Sequence, residues 1–176
     1  GATELGAERV ARSGLELMEE DPLVGTLVAE RYRIVRKLGE GGMGVVYQAV
    51  HEALRKPVAI KLLAAAGRID KEAIARFERE AIAAANLRHP NIAEATDFGR
   101  LPDGALYLVM EYVEGTTLRN LLREQGKLAP ERALGILQQV AGALATAHGR
   151  DVVHRDLKPE NVIVVSGEGG VDVVKV

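Results

Sequence analysis

The 176 residues contain no cysteine and no tryptophan, and aromatic side chains make up only 3% of the chain. Without thiols there are no disulfides and no thiolate-held metals, which agrees with a reducing compartment. No apolar run approaches the roughly 18 residues that a bilayer-spanning helix needs. The opening Gly1-Ala2-Thr3-Glu4-Leu5 lacks the basic-then-apolar order of a secretory signal. A cytoplasmic location is therefore expected, with a membrane anchor left to any longer parent chain. An excess of one charge is also missing: 23 basic and 25 acidic residues leave a formal net charge of −2. Nothing global draws the chain to nucleic acid or to an anionic membrane, so phosphate recognition has to come from a local site. What is present is 47% hydrophobic and 27% charged residues, the balance of a globular domain with a real core.

Residues 1–24 mix charges with scattered apolar side chains before Pro22 interrupts any helix, and read as a loosely attached flank. From Tyr32 the texture becomes β-like. Tyr32, Ile34, Val35 and Leu38 precede a glycine cluster; Val45, Val46, Tyr47, Ala49 and Val50 follow it; and Pro57 opens a third run, Val58-Ala59-Ile60-Lys61-Leu62-Leu63. Asp70 is the expected N-cap of a helix over about 71–88 with Ile74, Phe77, Ala81 and Ala84 as its apolar stripe. Leu106 to Met110 reads as a buried strand, and Glu111-Tyr112-Val113-Glu114-Gly115 as a connector between a lobe over 25–112 and a second part over 113–176. Thr117 to about Gln125 predicts a short helix, and Pro130 starts a longer one to about His148 whose apolar residues wrap most of its circumference. Short strands are expected around Val152-Val153, Val162–Val165 and Val171–Val176.

The segment Leu38-Gly39-Glu40-Gly41-Gly42-Met43-Gly44-Val45-Val46 contains G-x-G-x-x-G-x-V. Its glycines let backbone amides approach phosphate oxygens with no Cβ in the way. A dinucleotide site needs a helix after such a loop and an acid about 20 residues later. Here a strand follows and the later window holds Lys61, while no G-K-[ST] closes a P-loop. An ammonium in an apolar strand loses hydration and is compensated by a carboxylate or a bound anion. Glu78 and Glu80 both border the apolar stripe of the 71–88 helix, and periodicity does not choose between them.

His154-Arg155-Asp156-Leu157-Lys158-Pro159-Glu160-Asn161 is the most specific stretch. It matches the H-R-D-x-K-x-x-N catalytic loop at every defined position, between an apolar helix and a short strand. On these motifs residues 32–176 resemble a protein kinase of the bacterial eukaryotic-like Ser/Thr group. The resemblance implies an α+β, two-lobed protein-kinase-like fold, with an antiparallel-sheet lobe carrying one main helix and a truncated, mainly helical second lobe. It implies transfer of phosphate from ATP, with Mg²⁺, to Ser/Thr hydroxyls of protein substrates. Glu80 would pair with Lys61, Met110 would guard the rear of the adenine pocket, the Glu111 carbonyl and Val113 backbone would bond the base, and Leu38, Val46, Ala59 and Ile163 would sandwich it. Asp156 would orient the hydroxyl, Lys158 would offset γ-phosphate charge, Asn161 would hold Mg²⁺, and Arg155 would reach an activation-loop phosphate.

No Asp-Phe-Gly follows Asn161, and Asp97-Phe98-Gly99 reads as a coincidental turn ahead of the catalytic loop. The isolated chain is accordingly expected to be inactive. Two other readings compete: a nucleotide-binding or pseudokinase-like regulatory module, and an interaction module that self-associates through an apolar helix face.

Overall fold

Three β-like runs, the first two ended by glycine or charged turn residues, pair as neighbours because short connections favour antiparallel partners. The computed structural model describes residues 21–41, 44–63, 71–167 and 171–176. The runs become β2 (Tyr32–Gly41), β3 (Gly44–His51) and β4 (Lys56–Leu63), preceded by a two-residue strand β1 (Leu27–Val28). With β5 (Ala95–Arg100) and β6 (Leu106–Glu111) they form a six-stranded antiparallel sheet in the order β1-β2-β3-β4-β6-β5.

Alternation sorts the side chains of this sheet onto two faces. Tyr32, Ile34, Tyr47, Ala49, Ile60, Leu62, Tyr107 and Val109 pack together on one. On the other, Leu63, Leu106 and Leu108 meet Phe77 and Ala81 of α1 (Lys71–Ala85). Lys61 lies between Ala59 and Leu63 in β4 and so shares the α1 face. The helix ends three residues earlier than periodicity suggested, at Ala85, and its expected cap Asp70 lies outside the described residues.

Gly44 has φ +119°, and a Cβ there would sit 2.1 Å from the Leu62 carbonyl oxygen. The return strand of the glycine loop approaches β4 that closely only because position 44 has no side chain.

The second part contains β7 (Thr116–Thr117), α2 (Leu118–Gln125), α3 (Pro130–His148), a 3₁₀ turn over Pro159–Asn161, β8 (Ile163–Ser166) and β9 (Asp172–Lys175). Thr117 Oγ1 accepts the Asn120 amide at 3.2 Å and caps α2, while Pro130 supplies the first turn of α3. Strands β7-β8-β9 form a small antiparallel sheet against which Leu121, Ile136 and Val140 pack.

Several local expectations change. Val152 and Val153 form no strand. Ile136, Val140, Ala143 and Ala147 make a single buried stripe on α3, while Leu134 and Leu137 stay 57% and 60% exposed, which is the uncovered apolar side expected of this helix in a truncated second lobe. Asp97-Phe98-Gly99 is part of β5 rather than a turn. Asp97 accepts from Tyr32 at 2.7 Å and pairs with Arg31 at 3.1 Å, and a Cβ on Gly99 would meet the Tyr107 hydroxyl at 2.6 Å. The triplet is therefore built into the sheet. Asp21, at the edge of the flank, accepts a 2.8 Å hydrogen bond from the Tyr47 hydroxyl, so residues 21–24 are tied to the sheet.

Candidate active site

Cross-strand register assembles the first half of the site. Gly39 pairs with Val46, Val46 with Lys61, and Ala59 with Met110, placing the glycine loop, the lysine and the end of β6 side by side. Glu40 pairs with Val45 and Gly41 with Gly44; Gly42 and Met43 lie outside the described residues. Leu38 is exposed, Val46 is half-buried and Ala59 is buried, which leaves an apolar strip bordering the loop. Met110 packs against the α1-side cluster.

Lys61 is only 16% exposed, and its Nζ lies 2.8 Å from Glu80 Oε1. The ammonium also stands 5.7 Å from the centroid of the Phe77 ring. Burial removes water from Lys61, so the carboxylate and the ring face supply the compensation that its desolvation requires. Glu78 points elsewhere and meets Arg100 at 3.4 Å. The structure thus separates two glutamates that a helical wheel treats alike.

The second half is a tight loop. Arg155 has φ +61°, and the Asp156 amide donates back to the His154 carbonyl at 2.8 Å across it. This three-residue turn is a strained backbone held at a site. It presents Asp156, Lys158 and Asn161 together: Lys158 Nζ lies 2.9 Å from Asp156 Oδ2, and the Asn161 side-chain amide donates to Asp156 O at 2.8 Å and Oδ2 at 3.1 Å. With its nitrogen so used, Asn161 keeps its amide oxygen free to accept or to ligate. Arg155 is exposed and makes no ion pair among the described residues.

The hydrogen bond from Lys158, then that from Asn161, holds the Asp156 carboxyl below its ordinary range, and the same contact raises Lys158. A lowered carboxyl stays charged as pH falls until below the usual carboxylate range. Replacing Lys158 with methionine is expected to move the Asp156 titration midpoint upward, read from its ¹³C carboxyl shift. An unmoved midpoint would remove Lys158 as the main cause.

Glu111 ends β6, and Val113 lies in the connector beyond it, half-buried. Ile163 opens β8, opposite Thr117 and Lys175. One residue of this region escaped sequence reasoning. Lys175, in the apolar run Val171–Val176, is 18% exposed and places its Nζ 2.8 Å from Glu111 Oε2. The signal was available, since it is the same one that singled out Lys61: a lysine in an apolar strand.

The family described as protein kinase domain matches residues 32–176. The serine/threonine-protein kinase Pkn3 of Myxococcus xanthus is 44% identical over 158 residues, covering 90% of this chain and 29% of that protein. PrkC of Bacillus subtilis, named as a kinase of the same type, is 45% identical over 142 residues, covering 81% and 22%. The crystal structure of the Mycobacterium tuberculosis PknI kinase domain superposes with a TM-score of 0.70 at 36% identity, covering 86% of this chain and 60% of that one. The chain thus spans about a quarter of the length of the curated relatives it matches.

Proposed function

Because the chain belongs to the protein kinase domain family, we propose that it forms the nucleotide lobe and catalytic loop of an enzyme transferring the γ-phosphoryl group of ATP to protein serine and threonine hydroxyls. The observation that carries this reading is the clustering of Asp156, Lys158 and Asn161 on one strained turn. In the reaction a bond forms between the hydroxyl oxygen and the γ-phosphorus while the bond to the departing ADP oxygen breaks. Asp156 orients the hydroxyl and receives its proton, and Lys158 offsets charge on the transferring group. Lys61, held by Glu80, clamps the α- and β-phosphates over the glycine loop.

Leu38, Val46, Ala59 and Ile163 enclose the adenine in this reading, with the Glu111 carbonyl and Val113 backbone along its edge and Met110 behind. The free amide oxygen of Asn161 suits a hard cation, and no cluster of three or more acidic or histidine side chains among the described residues competes as a metal site. That oxygen would supply one Mg²⁺ ligand, and the ion would take the others from carboxylate, phosphate and water. When bound, that ion would neutralise phosphate charge. No helix among the described residues is long and apolar enough to cross a membrane. Dependence on ATP is the reason to place the activity in the cytoplasm.

Replacing Lys61 with methionine in the protein at its full natural length tests the reading. Loss of a positioned cation should lower kcat/KM by a factor on the order of 10², by analogy with removal of one oxyanion donor. Circular dichroism should be unchanged. Near-normal turnover would remove Lys61 from the mechanism.

A further inference from the structure

Lys175 repeats in β9 the situation of Lys61, with a partner in the other lobe. Glu111, its carboxylate, stands where the six-stranded sheet runs into the connector. The same oxygen accepts the Glu94 amide at 3.4 Å, and the Glu111 amide donates to the Glu94 carbonyl at 2.8 Å. The loop that leads from α1 to β5 is also stitched to β9. Ala93 N donates to Val176 O at 3.0 Å, Val176 N to Asn91 O at 2.9 Å, and the Asn91 side-chain amide to Val174 O at 2.8 Å. Asn91 further donates to Gln139 of α3, which itself bonds the β9 backbone at Asp172 and Val174. The exit of the sheet, the loop after α1 and the last strand thus meet behind the connector.

We propose that the Lys175–Glu111 pair is an interlobe latch, formed by two positioning residues whose side chains touch neither nucleotide nor acceptor. It holds the 86–94 loop, and through that loop the end of α1 carrying Glu80, at a set angle to the second lobe. Among the described residues it is the only ion pair joining the six-stranded sheet to the elements after the connector. A cavity of about 180 Å³ lined in part by Arg88, His89, Glu94, Glu111 and Lys175 gives the two sides room to shift when the tie is cut. Lys175 is largely withdrawn from water while the Glu111 side chain stays 38% exposed, so the pair is screened at its carboxylate end and sheltered at its ammonium end.

The test compares Lys175→Met, which keeps the stem, with Lys175→Arg, which restores the charge, in the protein at its full natural length. The methionine variant should exchange the Ala93, Glu111 and Val176 amides about tenfold faster, with β3 and β4 amides unchanged. KM for MgATP should rise several-fold with kcat little altered, and the arginine variant should restore exchange and KM together. Unchanged exchange at the three amides overturns the latch. So does accelerated exchange that arginine fails to restore, because packing rather than charge would then be responsible. Only the KM effect rests on the phosphotransfer reading; if no variant and no wild-type protein transfers phosphate, that reading falls while the exchange data still decide the latch.

Discussion

Residues 1–176 taken alone are expected to transfer no measurable phosphate from ATP to a Ser/Thr peptide, while the protein at its full natural length turns over. A triphosphate with its metal needs carboxylate ligands, and the described residues hold no acidic cluster for them. Glu160 of the catalytic loop and Asp172 of β9 are committed elsewhere. Asp172, 9% exposed, is held by Arg132 at 2.6 and 3.0 Å, and Glu160 faces Arg119 at 3.4 Å. The chain covers 60% of the solved PknI kinase domain, and orientation of an acceptor hydroxyl is proposed to need the rest of such a domain. Orientation of two reactants contributes about 7–11 kcal/mol in well-ordered systems, so its loss alone takes turnover below detection. Radiolabelled phosphate transfer decides the matter. A rate near that of the full-length protein would mean that Asp172 or Glu160 leaves its arginine to ligate the metal.

Replacing Asp156 with asparagine in the full-length protein should lower kcat by a factor on the order of 10³, within the range expected for a positioned general base. The substitution keeps the shape of the side chain and leaves an oxygen to accept from Lys158 or Asn161, so the strained turn at Arg155 should persist. What disappears is the charge that draws the hydroxyl proton. KM for ATP should move little, because in the proposed reaction Asp156 serves the acceptor hydroxyl rather than the nucleotide. Steady-state kinetics separate the outcomes: a raised KM at constant kcat would make Asp156 a binding residue and would reassign the proton transfer.

The contrast between these two sites shows how chain distance limits what can be read from residues alone. Asp156, Lys158 and Asn161 lie within six positions, so one local turn contains their whole arrangement and the motif carries it. Lys61 and Glu80 are 19 residues apart and belong to different elements. At 100° per residue, Glu78 and Glu80 fall on opposite edges of the Phe77–Ala81 stripe, each about 80° from its centre. Periodicity is symmetric between them. The tie is broken only when Phe77 and Ala81 seat on Leu63, Leu106 and Leu108, which turns one edge toward Lys61 and the other toward Arg100.

Short apolar runs and the turn residues between them were enough to place β2, β3, β4 and β6, because a run of that length and composition suits a buried strand and a tight return needs glycine or charged residues. They were not enough for β5. Its Ala95-Thr96-Asp97-Phe98-Gly99-Arg100 carries no strong β pattern and becomes a strand by pairing with β6, where Gly99 admits the Tyr107 ring. The α3 helix shows the converse: its composition suits burial all round, yet Leu134 and Leu137 remain exposed because no described element packs against that side. Local sequence thus determined most of the segments that become strands and helices, β5 excepted, and which residues gather on the turn at Arg155. Tertiary packing alone decided which carboxylate meets Lys61 and that Lys175 reaches Glu111 across 64 residues. The physical reason is that hydrophobic patterning names the face an element buries, whereas the partner across that face is chosen only when two faces meet.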